Sequence, residues 1–297
     1  MSGSHLGELA ALGTASCWTI TALVFESAGR RIGSIMVNQL RLVIAVFLLA
    51  AFSTIHRGLP FTTDANGHQW LWLTLSGWLG FNFGDLCLFR AFVVLGSRLS
   101  VLVMSLVPPI AALLSWLVLG ETLGPLDLVG MVMTVGGIVW VVLERPKRAH
   151  APHASWTGLL LALGGALGQA SGLVLSKLGM GDYDPFAATQ IRVFAGIFGF
   201  VVVFTVSRWW PRVLPALRDR RGVGLTAIGA FFGPFVGVSL SLVAVQLAKA
   251  GVAATIMALT PVLILPLAIR LRGEHVSPRA ALGALLAVAG TAVLFLG

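Results

Sequence analysis

Shifting residues 80–143 by 153 positions lays them on 233–296 without a gap. Gly80, Gly84, Met104, Pro108, Gly120, Glu121, Pro125, Gly130 and Gly137 then coincide with Gly233, Gly237, Met257, Pro261, Gly273, Glu274, Pro278, Gly283 and Gly290. A shift of 151 does the same near the start. Gly7, Ala11, Gly13, Gln39, Arg41 and Phe47 meet Gly158, Ala162, Gly164, Gln190, Arg192 and Phe198. The chain is therefore two copies of one unit, divided at 1–150 and 151–297. Both copies are strongly apolar. Duplicated membrane halves meeting around a central site are a common transporter architecture.

Composition narrows the choice of solvent. Charged residues make up 10% of the chain, against about 25% in soluble domains, and the polar stretches are short. The net charge of +9 comes from Lys and Arg lying between apolar segments. Their placement fits lipid headgroups and topology signals better than nucleic acid. Cys17 and Cys87 sit inside apolar stretches and form neither a metal cluster nor a disulfide pattern. The first apolar run lacks a basic n-region, so it is expected to persist as a helix.

A membrane-spanning helix needs about 20 mostly apolar residues. Ten such spans are expected, at roughly 6–26, 34–55, 70–94, 98–119, 126–143, 155–177, 186–207, 222–247, 250–270 and 279–296. The fold class is thus an all-α membrane protein of ten transmembrane helices. Loops after odd-numbered spans carry most of the basic residues, among them Arg30, Arg31, Arg145, Arg148, Arg208, Arg212, Arg220 and Arg221. Loops after even-numbered spans hold little beyond Arg57, Lys177 and Lys249. Positive loops stay in the cytoplasm, which puts both termini outside. Five spans per copy is an odd number, so the second copy is inverted relative to the first. Trp70, Trp72, Trp156, Trp209 and Trp210 lie at span ends, where aromatic rings anchor at the headgroups.

Charges and helix breakers inside the spans mark candidate sites. Pro108 and Pro109 fall in span 4, and Pro261 at the matching place in span 9. A proline removes a backbone hydrogen bond, tolerated in lipid where protein or a water-filled cavity satisfies the freed carbonyl. The pair predicts either a midplane cavity or a plain packing kink. Asp85, near Asn82, lies mid-span and has no counterpart, because Val238 takes the mated position. A carboxylate there costs about 2.5–3.5 kcal/mol. It is either a proton or cation site, or the partner of Arg90 or Arg41. Arg41 and Arg192 are mates, in Gln-Leu-Arg and Gln-Ile-Arg. Each either clamps a substrate carboxylate or phosphate, or ties helices together and snorkels. Asn38, Trp18, Gln169, Ser239 and Gln246 complete the candidate lining for substrate binding or coupling. Arg192 and the prolines are candidates for gating. Glu121 and Glu274 are expected to favour the starts of the helices that follow them.

The sequence has no His-Glu-x-x-His, no nucleotide loop and no paired catalytic carboxylates. Neither an enzyme, a cofactor nor a metal is expected. A lipid flippase or membrane enzyme is the least favoured alternative. Leu-Gly-Glu-x3-Pro at 119–125 and Arg-Gly-Glu-x3-Pro at 272–278, with the Gly-rich spans 5 and 10, resemble the EamA branch of the drug/metabolite transporter superfamily. The resemblance implies a multi-pass secondary transporter of the bacterial inner membrane, often an exporter of amino acids, metabolites or toxic compounds. It also implies that spans 1, 3, 4, 6, 8 and 9 line the pathway. The expected function is export of small amphipathic metabolites such as amino acids, by alternating access around a midplane cavity. Efflux of lipophilic cations is the alternative. Expected partners are a small-molecule substrate, the lipid bilayer and protons.

Overall fold

A computed structural model describes residues 5–95, 100, 103–143, 155–260, 262–263 and 277–294. Among these the elements are helices and turns. They are α1 (Leu6–Ile32), α2 (Ser34–Arg57), α3 (Gly67–Gly77), α4 (Asp85–Leu95), α5 (Val107–Leu119), α6 (Pro125–Leu143) and α7 (Trp156–Met180). Then come α8 (Pro185–Val206), α9 (Val213–Arg218), α10 (Arg220–Ala230), α11 (Val238–Leu247), α12 (Ala250–Met257) and α13 (Pro278–Leu294). Leu6–Ile32, Ser34–Arg57, Trp156–Met180, Pro185–Val206 and Arg220–Leu247 are long and apolar enough to cross a membrane. Shorter apolar helices accompany them.

The sequence repeat reappears as packing. α3 and α4 lie on α7, while their mates α10 and α11 lie on α1. Outside that equivalence, α5 packs on α7 and α12 on α1. Mated helices also pack on each other: α2 on α8 and α6 on α13. These mated pairs run antiparallel. A Cβ on Gly130 would meet Gly290 O at 2.9 Å, and one on Gly137 would meet Gly283 O at 2.5 Å. Phe52, near the end of α2, packs against Phe186, at the start of α8, with ring centroids 4.3 Å apart and the rings tilted. Small residues allow this closeness, which is how helices associate when lipid removes the hydrophobic drive.

Two boundaries differ from the sequence reading. The loop expected between the first two spans is mostly helix: α1 continues to Ile32, and only Gly33, at φ 85°, breaks it. Pro108 and Pro109 do not kink a helix from within. The chain turns at Ser105–Leu106, and both prolines sit in the first turn of α5, where no intrahelical N–H is required. Pro108 is buried and Pro109 exposed. Pro261, Glu274 and most of the expected ninth span beyond Leu263 lie outside the described residues.

Two further irregularities are mates. Residues Trp78–Gly84 and Phe231–Gly237 are π-helical, and a shift of 153 superposes them. Pro234 explains the second, since it has no N–H for the α-helical bond. Bonds lengthened to i→i+5 frequently occur at functional sites. Mated helices supply donors to the carbonyls. Thr14 Oγ1 donates to Gly237 O at 3.2 Å, and Gln169 Nε2 approaches Gly80 O at 3.5 Å.

The loop between α2 and α3 is pinned across the repeats. Arg57 pairs with Asp64, Tyr183 Oη donates to Asp64 Oδ1 at 2.9 Å, and Gln190 Nε2 donates to Pro60 O at 2.9 Å. Burial, then the bond to Asp64, pushes the Tyr183 phenol up to about 12. Tyr183 is the single tyrosine, so an absorbance titration of tyrosinate reads it directly. Its midpoint is expected at about 12 in folded protein and at about 10 after denaturation. The folded chain keeps a proton that the unfolded chain has lost. This contribution to stability is therefore intact below the unfolded value and disappears as pH rises through the folded one. Asp64→Asn should lower the folded midpoint.

Candidate functional site

The two repeats meet at Asp85, the residue that follows the first π-helical segment. It is buried, 5% exposed. Arg41, from α2, donates from Nη2 to Asp85 Oδ2. Gln169, from α7, donates from Nε2 to Asp85 Oδ1 at 2.7 Å. Both carboxylate oxygens are thus engaged by protein donors. Arg90, the other partner considered from sequence, is exposed. The Arg41 guanidinium carbon lies 5.4 Å from the rings of Phe25 and Phe89 and 5.9 Å from Phe81. Such aromatic faces attract a cation most strongly where water is excluded.

Arg192, the mate of Arg41, enters from α8. It is 5% exposed, and its guanidinium carbon lies 5.0 Å from the Phe81 ring centroid. Gly80 makes room for it, since a Cβ there would fall 3.1 Å from Nη2. Arg192 is close enough to Asp85 to interact electrostatically. Among the described residues it forms no ion pair within 4 Å. One carboxylate therefore serves two guanidiniums, leaving the centre with a surplus positive charge. Arg41 Nε, Arg192 Nε, Asn82 Oδ1 and both amide atoms of Asn38 are buried without a protein partner. Buried polar groups in native proteins are normally satisfied, so these atoms remain open to a polar partner.

The remaining sequence candidates divide. Asn82 Nδ2 donates to Gly196 O at 3.0 Å, tying the first π-helical segment to α8. Asn38 lies one turn from Arg41 in α2, fully buried. Trp18 packs on the second π-helical segment, where a Cβ on Gly237 would approach its Nε1 at 3.2 Å. Gln169 holds the mated place on the first segment. Ser239 is fully buried, with no protein partner for its hydroxyl. Gln246 lies elsewhere. Its amide donates to Gly181 O at 2.7 Å and Tyr183 O at 3.1 Å, beyond the end of α7. That is about three helical turns from Gln169.

A second polar cluster closes one end of the bundle. Glu121 does not cap its own following helix. Its Oε2 accepts from Ala250 N at 2.9 Å, at the start of α12, while its Oε1 meets Lys177 Nζ at 2.5 Å. Lys177 also donates to Ala248 O at 2.5 Å. Beside them Lys249 Nζ meets Asp127 Oδ2 at 2.6 Å. The dipole at the α12 N-terminus favours the Glu121 carboxylate. Sequence offered the repeated Gly-Glu as the signal, but not which helix it caps. Glu121→Ala removes a cap worth about 0.5–2 kcal/mol together with a half-buried ion pair. It is expected to loosen this end. In a background lacking Cys17 and Cys87, a thiol placed at buried Ala253 should label about tenfold faster, the change that 1.4 kcal/mol gives. An unchanged rate would mean that Glu121 does not hold this end shut.

At the opposite end Arg31 forks onto Asp219, with Nε 3.0 Å from Oδ2. The Gly222 amide, then Arg31, holds the Asp219 carboxyl below its ordinary range.

The EamA-like transporter family model matches this chain twice, over residues 5–143 and 156–296. A solved crystal structure superposes on it with a TM-score of 0.73, covering 98% of this chain and 96% of that one at 18% identity. That likeness concerns the fold. No curated protein matches the chain. The two family matches cover nearly the whole chain, which therefore belongs to the EamA-like transporter family.

Proposed function

We propose that this member of the EamA-like transporter family is a secondary active exporter of small amphipathic metabolites, amino acids foremost. It works by alternating access of two inverted five-helix repeats, 1–150 and 151–297, in the bacterial inner membrane with both termini outside. The observation that carries this reading is the buried network. Arg41 and Asp85 come from the first repeat, and Gln169 and Arg192 from the second. Rocking of one repeat against the other must therefore remake the Gln169–Asp85 bond and change the distance from Arg192 to the carboxylate. Polar groups at membrane depth mark substrate and proton pathways. The antiparallel packing of mated helices supports the inversion. Lipophilic cations are a poorer cargo, because the centre already carries surplus positive charge.

The test is flux. Purified protein in vesicles is given a panel of labelled amino acids, with and without a pH gradient. Concentrative, gradient-dependent uptake is expected for one or more of them, and Asp85→Asn should abolish the coupling. If no solute crosses faster than in empty vesicles, the carrier reading falls. If Asp85→Asn leaves both uptake and coupling intact, Asp85 drops out of the mechanism.

A further inference from the structure

We propose that Arg192 binds a carboxylate group of the cargo, and that the valine at position 238 is what makes the site select anions. This deepens the transporter reading and rests on it. The argument begins with broken symmetry. Arg41 and Arg192 occupy equivalent positions in the two repeats. Arg41 has its carboxylate in Asp85, at the start of α4. The equivalent of Asp85 is Val238, at the start of α11. Val238 is buried in one apolar cluster with Phe81 and Val193. Phe81 is the ring against which Arg192 lies, and Val193 is its chain neighbour. The place from which a second carboxylate would neutralise Arg192 is therefore filled by a hydrocarbon.

The consequence is electrostatic. Asp85 spends one oxygen on Arg41 and the other on Gln169, leaving Arg192 a charged neighbour without a bonded one. A guanidinium offers two parallel N–H bonds to a carboxylate, and its Nε is buried here without a protein partner. A cargo carboxylate supplies the missing charge and completes a site of two arginines and two carboxylates. An amine or a neutral amide supplies no such charge. The unpartnered oxygen of Asn82, one residue from Phe81, accepts from a donor group on the same molecule.

The experiment compares acids with their own amides on the purified full-length protein. Phenylacetate is set against phenylacetamide, and N-acetyl-L-leucine against N-acetyl-L-leucinamide, reading thermal stabilisation across a concentration series. The acids are expected to bind at least about tenfold more tightly, the least that one charge-assisted bidentate pair should give. Arg192→Gln should erase the difference. Val238→Asp should erase it too, because it gives Arg192 a resident carboxylate. Val238→Asn, of like shape without the charge, should retain it. Equal stabilisation by acid and amide, or none by either acid, overturns the proposal in the wild-type protein alone, whether or not the variants fold. Acid binding that persists unchanged in both Arg192→Gln and Val238→Asp overturns it as well. Because the readout is binding, an acid preference without vesicle flux would sink the carrier and spare the site. Flux of amines without acid preference would do the reverse.

Discussion

Asp85→Ala is expected to be the most damaging single substitution in the chain, costing about 3–5 kcal/mol, the usual penalty for stranding a buried charge. At 2–4 °C per kcal/mol for a protein of comparable size, that is a fall of roughly 6–20 °C in melting temperature. The arrangement predicts an asymmetry that tests it. Removing Asp85 leaves both Arg41 and Arg192 without a countercharge in a site where each is under a tenth exposed. Removing Arg41 instead leaves Asp85 with Gln169 at 2.7 Å and with Arg192 nearby. Arg41→Ala should therefore cost less than Asp85→Ala. Arg41→Met with Asp85→Leu should recover much of the loss, since a buried pair replaced by apolar groups of similar volume is often neutral. Thermal unfolding of the two single variants and the double variant in one detergent gives the comparison. Equal losses for both single variants would mean that Arg192 takes no part in holding the carboxylate.

Much of this arrangement was legible in the residues, and the failures have a common cause. The repeat identified Arg41 and Arg192 as mates and exposed Val238 as the broken position, because register survives in sequence where chemistry has diverged. The partner of Asp85 was not legible. Arg90 lies five residues on and Arg41 lies 44 residues back, and nothing local chooses between them. The choice is made by the π-helical segment, which resets the helix phase immediately before Asp85. Pro234 accounts for the second such segment, but the first carries no proline, so no residue in it marks the change of helix phase. Pro108 and Pro109 were misplaced for a related reason. The apolar run at 98–119 continues across the turn at Ser105–Leu106, so hydropathy alone reads one helix where a new one starts. Gln246 shows the limit of polarity as a guide. A glutamine in an apolar span can bond to a loop at the helix end as well as line a pathway, and depth rather than residue type separates the two.

Gly168→Ala is expected to destabilise the protein by about 1–3 kcal/mol, the cost of overfilling a packed interface, and to disturb the site as well. The usual preference runs the other way. In a helix interior alanine is better than glycine by about 0.8–1.0 kcal/mol. Geometry decides which effect wins. A Cβ on Gly168 would stand 2.6 Å from Gly84 Cα and 2.7 Å from Leu79 O. Both are backbone atoms of the first π-helical segment and cannot rotate away. α7 would have to back off, and Gln169 is the next residue along it. The movement would stretch the 2.7 Å bond to Asp85, so weaker binding of any acid that the site takes should accompany the lower melting temperature. Position 17, the mate of Gly168, is a cysteine, so the first repeat already carries a Cβ at the equivalent contact, against Gly237. Gly136 is the matched control. It is exposed on α6, with nothing within 4 Å of an added methyl, and there alanine should be neutral or slightly stabilising. A loss at 168 with none at 136, in melting temperature and in acid binding, would tie the tightness of the helix contact to the polar centre. Matching signs would mean that the two helices yield more easily than their backbone contact implies.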